Sequence, residues 1–395
     1  MYLEPRDHPR FEKRITLAYY LSFICQGLIS SIFGPAMVYF AGRTNSAISG
    51  ITPLLVFYNL GFIISSLFIS RLFDRRPGNR LIGISICTAS AAVLGLCAVR
   101  SRWQLFLLAG IIGAALSVID NGPNVMFTWL LGSRAKRPMN LVHLFYSVGC
   151  IITPFLISLS LRHMNSIAPV LILVSAAVIF PALTLFRLPS PRAQADSNAA
   201  ASGNPDMTGR DQILAAAGLF GLLMFLFASC QSTINSWIST VLIRSSLAGE
   251  SEAAMMTSVF WIGTFSGRLL AAWLVGRVPP ARIVFGCLLI SAANGTMMLL
   301  APKTLLLIGA GVFIYGFSTG PIIANALGIM KERGLVSAKI NGIVLACGQF
   351  GGMLMPSLFG RIWGDSPANF VPFILITLIA SLANLAVLRL IMRKG

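Results

Sequence analysis

A chain of 395 residues with 56% hydrophobic and 11% charged side chains and a mean hydropathy of +0.81 has too much apolar surface for one soluble core and reads as a membrane protein. Its formal net charge of +18 would suit a phosphate-binding surface. The Lys and Arg residues, however, crowd into short loops on the side of the N-terminus, which argues against a nucleic-acid face and places both termini in the cytoplasm by the positive-inside rule.

Twelve apolar runs of roughly 20 residues, each able to cross a ~30 Å hydrocarbon layer, follow one another at 15–40, 47–72, 81–99, 105–132, 140–161, 168–186, 212–243, 253–276, 284–301, 304–330, 338–360 and 369–391. They are numbered here as spans 1 to 12, an all-α membrane protein. So little sequence lies outside them that no folded soluble domain, and no receptor or scaffold built on one, is expected. The first run is too long for a signal-peptide core and is expected to be retained. All seven cysteines lie in apolar runs without metal-ligand spacing, so they read as small core residues, and neither a metal nor a cofactor is expected.

Arg6, Arg10, Lys13 and Arg14 anchor the chain ahead of span 1, which carries Gln26 and a Gly34-Pro35 break near its outer end. Span 2 holds Tyr58, Asn59 and the small residues Gly61, Ser65 and Ser66, which permit close backbone approach. Its exit reads Ser70-Arg71-Leu72-Phe73-Asp74-Arg75-Arg76-Pro77-Gly78-Asn79-Arg80. This resembles the loop between helices 2 and 3 of the major facilitator superfamily, with Ser70 in place of a glycine and one extra residue between Asp74-Arg75 and Gly78. The resemblance implies a conformational-switch role for Asp74, Arg75 and Arg80. A solvated charged turn is the plainer reading.

An internal repeat supports the same plan. Arg75-x-Pro77-x-x-Arg80 recurs as Arg277-x-Pro279-x-x-Arg282 at an offset of 202, Gly149 and Pro154 recur as Gly351 and Pro356 at 202, and Gly122-Pro123 matches Gly320-Pro321 at 198. On the last offset Ser318 would stand opposite Asp120. Residues 188–210, rich in Pro, Ala, Ser, Gly and Asn, read as a cytoplasmic linker. The domains are then a six-helix bundle at 1–187 and another at 211–395. Twelve transmembrane helices in two pseudo-symmetric six-helix bundles, with a substrate site near the midplane, is the major facilitator fold.

The chemistry centres on Ser117 to Met126, SVIDNGPNVM, which puts Asp120 about halfway along span 4. A carboxylate there is costly unless it is paired or protonated, so Asp120 is a candidate for proton coupling. Asn124 shares its helix face, while Asn121 points about 100° away. Span 5 opens with Asn140, and His143 follows three residues later. His143 could relay protons with Asp120 or bond a neighbouring helix. Asp120, Asn124, Met139-Asn140, His143, Gly149 and Pro154 together resemble helices 4 and 5 of the fucose permease and sodium-dependent glucose transporter branch. That resemblance implies cation coupling at Asp120 and substrate roles for Asn124 and Asn140. The branch's acid in helix 1 has no counterpart here. Gln26 is the nearest polar residue and is counted among the candidate substrate contacts.

Span 7 carries Gln231, Asn235 and Trp237, with Gln231 where the branch has an acid, and span 8 carries Phe260-Trp261-Ile262-Gly263 and Gly267-Arg268, which also resembles that branch. Gln231 and Asn235 suit sugar hydroxyls, because neutral amides both donate and accept, or else they bond between helices. Trp237 and Trp261 could stack on a sugar ring or belong to an interfacial belt. Arg268 either takes part in the conformational switch or snorkels to the surface. Asn121, Asn325 and Gln349 complete the candidate substrate contacts. The expectation is a monomeric secondary transporter in a bacterial inner membrane. It would carry a small neutral polar solute, a sugar or polyol, coupled to a proton or to sodium. An exporter of amphipathic compounds is the alternative. Without a zinc-binding HExxH, a phosphate-cradling loop or a second intramembrane acid, no enzyme is expected.

Overall fold

The computed structural model describes residues 2–3, 8–192, 210–274, 276–300, 303–333, 335, 338–364 and 366–391. Helices α1 (His8–Ser30) and α2 (Phe33–Arg43) form span 1, and α3 (Ile48–Ile51) and α4 (Pro53–Arg75) form span 2. Spans 3 to 6 are α5 (Gly78–Gly95), α6 (Arg102–Leu131), α7 (Lys136–Met164) and α8 (Ala168–Arg187). Spans 7 to 9 are α9 (Arg210–Arg244), α10 (Glu250–Leu274) and α11 (Pro280–Leu300). Helices α12 (Leu305–Thr319) and α13 (Ile322–Glu332) share span 10, and α14 (Ala338–Trp363) and α15 (Phe370–Ile391) complete the set. Among the described residues 11 stretches are long and apolar enough to cross a membrane. Helix α10, the expected span 8, is not among them. It has 25 residues, but Glu250, Ser251, Glu252, Thr257, Ser258, Thr264, Ser266 and Arg268 dilute its apolar content.

Prolines stand at the breaks within spans, though not every proline makes one. The ring of Pro35 conflicts with the carbonyl four residues earlier, that of Ser31, and the helix is interrupted at residues 31–32. Pro321 likewise separates α12 from α13. Pro123, Pro154 and Pro356 sit inside uninterrupted helices. Helix α6 starts on a capping box, in which the Gln104 N–H donates to Ser101 Oγ at 3.4 Å and the Ser101 N–H donates to Gln104 Oε1 at 3.2 Å.

The chain divides into two compact units, one of residues 1–197 with 250–258 and the other of residues 198–249 with 259–395. In the first, a β-carbon at Gly113 would overlap the Tyr58 carbonyl oxygen and one at Gly61 that of Gly110, so α4 and α6 touch backbone to backbone. In the second, Gly316 abuts the Phe260 carbonyl and Gly263 that of Phe313, joining α10 to α12. Small residues that admit such contact drive helix association in lipid. Gly149 on Ile24 and Gly351 on Phe225 repeat the pattern for α7 with α1 and α14 with α9.

These contacts set the register of the repeat. Residues 58 and 61 correspond to 260 and 263, an offset of 202, and 110 and 113 correspond to 313 and 316, an offset of 203. The Gly-Pro match at 198 is therefore out of step, as the different behaviour of Pro123 and Pro321 also shows. Asp120 corresponds to Ile323. Ser318 is buried, its hydroxyl bonded to Ser291 and to the Ile314 carbonyl.

The turn between α4 and α5 is only Arg76 and Pro77, and Arg75 and Arg80 beside it are exposed. The side chain of Asp74 lies outside the described residues. Asn79, 1% exposed, accepts a hydrogen bond from the Tyr19 hydroxyl at 2.6 Å and donates to the Pro189 carbonyl at 2.8 Å, while its own N–H donates to Ser190 Oγ at 3.2 Å. The Leu3 N–H closes on the Ser190 carbonyl at 2.9 Å. The segment leaving α8 is thus fastened to the start of α5. Residues 193–209 of the expected linker lie outside the described residues.

Candidate functional site

In the first unit the site is built on α6. Asp120 is half-buried, and Gln26 of α1, 7% exposed, donates Nε2–H to Asp120 Oδ1 at 2.8 Å. Gln26 Oε1 is buried and meets no donor among the described residues. A neutral amide thus takes the place beside the carboxyl that a second acid or a base could have held. It supplies one charge-directed hydrogen bond without cancelling the charge.

Asn124 donates to the Asp120 backbone carbonyl at 2.8 Å, and Asn121 to that of Ser117 at 2.9 Å. Both amides turn N–H groups back onto their own helix, which leaves their oxygens to act as acceptors. Pro123 has no N–H for the Ile119 carbonyl, so the helix ladder lacks one bond next to Asp120. His143 lies on an exposed face of α7 with its ring nearly perpendicular to that of Phe23, centroids 6.0 Å apart. The side chain of Asn140 lies outside the described residues.

The same unit holds hydroxyl side chains on α1, α4 and α7 to which the sequence reading gave no role. Tyr58 of α4 is within electrostatic reach of Asp120 and of Cys150. Ser30 Oγ lies 3.0 Å from the Tyr146 hydroxyl and 3.8 Å from Cys150 Sγ. The available signal was the occurrence of Tyr58 and Tyr146 deep inside apolar runs, since a buried phenol needs a partner for its O–H.

The second unit gathers Gln231, Asn235 and Trp261. Trp261 Nε1–H donates to Asn235 Oδ1 at 2.7 Å, tying α10 to α9, and Trp261 is 5% exposed. Gln231 is half-buried, and its Nε2 has no acceptor among the described residues. Trp237 is placed elsewhere. It is fully buried, donates Nε1–H to the Pro356 carbonyl at 2.9 Å and packs edge-on against Phe359. That is a core position, so Trp237→Ala is expected to lower stability by about 3–5 kcal/mol. The check is the unfolding midpoint of the detergent-solubilised chain, with solute affinity measured on the fraction that remains folded.

Asn325 is buried and donates to the Pro321 carbonyl at 2.8 Å, in the break between α12 and α13. Gln349 is exposed on α14, and Arg268 is half-buried in α10. Among the described residues no group of three or more His, Cys, Asp or Glu could hold a metal ion.

Known proteins resemble this chain in sequence and in fold. The family model described as Major Facilitator Superfamily matches residues 19–356. Sodium-dependent glucose transporter 1 of Danio rerio is 23% identical over 389 residues, covering 89% of this chain and 64% of the relative, so the chain spans somewhat under two thirds of that protein's length. Sodium-dependent glucose transporter 1A of Mus musculus is 22% identical over 95% of each chain. The crystal structure of nucleoside transporter NupG superposes with a TM-score of 0.71 at 14% identity, covering 96% of this chain and 99% of that one. With 11 stretches among the described residues able to cross a membrane and a family match across most of its length, the chain belongs to the Major Facilitator Superfamily of multi-pass membrane transporters.

Proposed function

We propose that this chain is a secondary active transporter of a small neutral polar solute, a sugar or polyol, working by alternating access with proton uptake and release at Asp120. The observation that carries this reading is the Asp120 carboxyl itself, set inside a membrane span and bonded by the neutral amide of Gln26. An ionised carboxylate in that setting is costly, so a change of protonation is a large free-energy lever. The glucose transporters among the relatives support a sugar as cargo. We place the protein as a monomer in a bacterial inner membrane with both termini cytoplasmic.

Gln231 and Asn235 are the proposed solute contacts in the second unit. Among the described residues Gln231 Nε2 has no acceptor, a need that a hydroxyl oxygen meets without any desolvated charge. Gln231→Leu is expected to raise the KM for the solute about tenfold, because a site built to bond a hydroxyl loses that bond. Initial rates of counterflow measure this, and an unchanged KM removes Gln231 from the site.

Sodium in place of the proton is the second reading. The names of the relatives favour it, and so does the single negative charge of the Gln26–Asp120 pair, which matches a monovalent cation. Uptake into proteoliposomes across a panel of sugars and polyols, under an imposed pH or sodium gradient, separates the two. Accumulation driven by the pH gradient alone supports the proton, and accumulation only with sodium supports the second reading. No gradient-driven uptake of any sugar, together with uptake of amphipathic cations, would overturn both.

A further inference from the structure

We infer that Gln26 is the reversible partner of Asp120, donating through Nε2 to the ionised carboxylate and accepting through Oε1 from the protonated one. This rests on the reading of Asp120 as the coupling acid and assigns Gln26 a positioning role in place of a solute contact. Two observations carry it. The amide already donates to Asp120 Oδ1 at 2.8 Å. Its other end, Oε1, is an acceptor buried without a donor among the described residues, on a side chain 7% exposed.

A carboxylate only accepts, whereas a carboxylic acid must also donate. When Asp120 takes a proton from water, its new O–H needs an acceptor and the Gln26 N–H loses its best one. A half-turn about the Gln26 Cγ–Cδ bond exchanges the two ends of the amide and brings Oε1 to the Asp120 O–H as its acceptor. The neighbours are poorly placed to do the same. Asn124 spends its N–H on the Asp120 backbone carbonyl, and Ser30, Tyr146 and Cys150 form their own group around α1 and α7. Tyr58 on α4 is within electrostatic reach of Asp120, and a phenol does not change charge in the range where a carboxyl does; His143 on α7 lies on an exposed face with its ring against Phe23. An amide in the position of a second acid therefore lets one proton be carried with one partner, without repulsion between two carboxylates.

The test is difference infrared spectroscopy of the full chain in lipid, on acidification. The variants are Gln26→Met, which keeps the length without the amide, and Gln26→Leu as a second replacement. Asp120→Asn identifies the Asp120 band. The wild-type chain is expected to give a carboxylic C=O band, lost in Asp120→Asn, together with an amide change lost in Gln26→Met. In Gln26→Met and Gln26→Leu the carboxylic band moves to higher wavenumber, because its O–H is no longer donated. Accumulation driven by a pH gradient falls about tenfold, the scale of one charge-assisted hydrogen bond, while the solute KM in counterflow is unchanged. A carboxylic band at the same position with and without Gln26, or a tenfold rise in solute KM, overturns the inference and leaves the coupling role of Asp120 standing. Absence of any Asp120 band in the wild-type chain overturns both.

Discussion

Asp120→Asn is expected to reduce the accumulation ratio of the solute under an imposed pH gradient to one, while counterflow of the same solute continues. The substitution is close to isosteric, and Asn Oδ1 still accepts the hydrogen bond that Gln26 Nε2 gives to Asp120 at 2.8 Å. Packing around α6 is therefore kept. What is lost is the choice between a charged and a neutral state. An amide in the span is neutral at every pH, so translocation of the empty and loaded carrier no longer depends on which side supplies protons. Counterflow needs only solute on both sides and a mobile carrier, so it persists, and its pH dependence flattens. Radiolabelled uptake in proteoliposomes reads both quantities from one preparation. Concentrative uptake by Asp120→Asn at neutral pH would sink the coupling role, and loss of counterflow as well would point to a structural role for the carboxyl.

The second large effect concerns folding. Gly113→Leu and Gly316→Leu are each expected to prevent recovery of a monodisperse protein, whereas Gly286→Leu is tolerated. At Gly113 even a β-carbon overlaps the Tyr58 carbonyl oxygen, and at Gly316 that of Phe260. At Gly286 no atom stands within 4 Å of the position a β-carbon would take. The obstructing atoms are backbone, which cannot rotate away as a side chain can. A leucine therefore separates α4 from α6, or α10 from α12, along several turns, with a cost of at least about 3 kcal/mol, a large share of ordinary stability. Fluorescence-detected size exclusion in detergent ranks the three variants. If Gly113→Leu elutes like Gly286→Leu, the backbone contact is not what joins these helices.

Much of the fold could be read from the sequence because hydrocarbon permits few alternatives. Runs of about 20 apolar residues must be helices, and their flanking charges orient them. The polar α10 was still recognisable by length and by its place between α9 and α11. The repeat was visible but misaligned at one place. Gly-Pro pairs are common in membrane helices, and only the three-dimensional contacts of Gly113 and Gly316 reveal which residues correspond. The candidate site was less legible. Sequence spacing puts Asn121 and Asn124 on known faces of α6, yet it cannot tell that both amides fold back on the helix backbone. Nor does composition separate Trp237, sealed in a core by Phe359 and Pro356, from Trp261, hydrogen-bonded to a candidate solute amide. Those distinctions depend on partners more than twenty residues away in the chain.

The glycine contacts between α4 and α6 and between α9 and α14 also provide a fixed ruler. Helices locked backbone to backbone have no sliding room, so spin labels placed across either pair should hold one separation whatever solute, ion or voltage is applied. Displacements recorded elsewhere in the same molecule can be calibrated against that constant distance, without needing a second protein as reference.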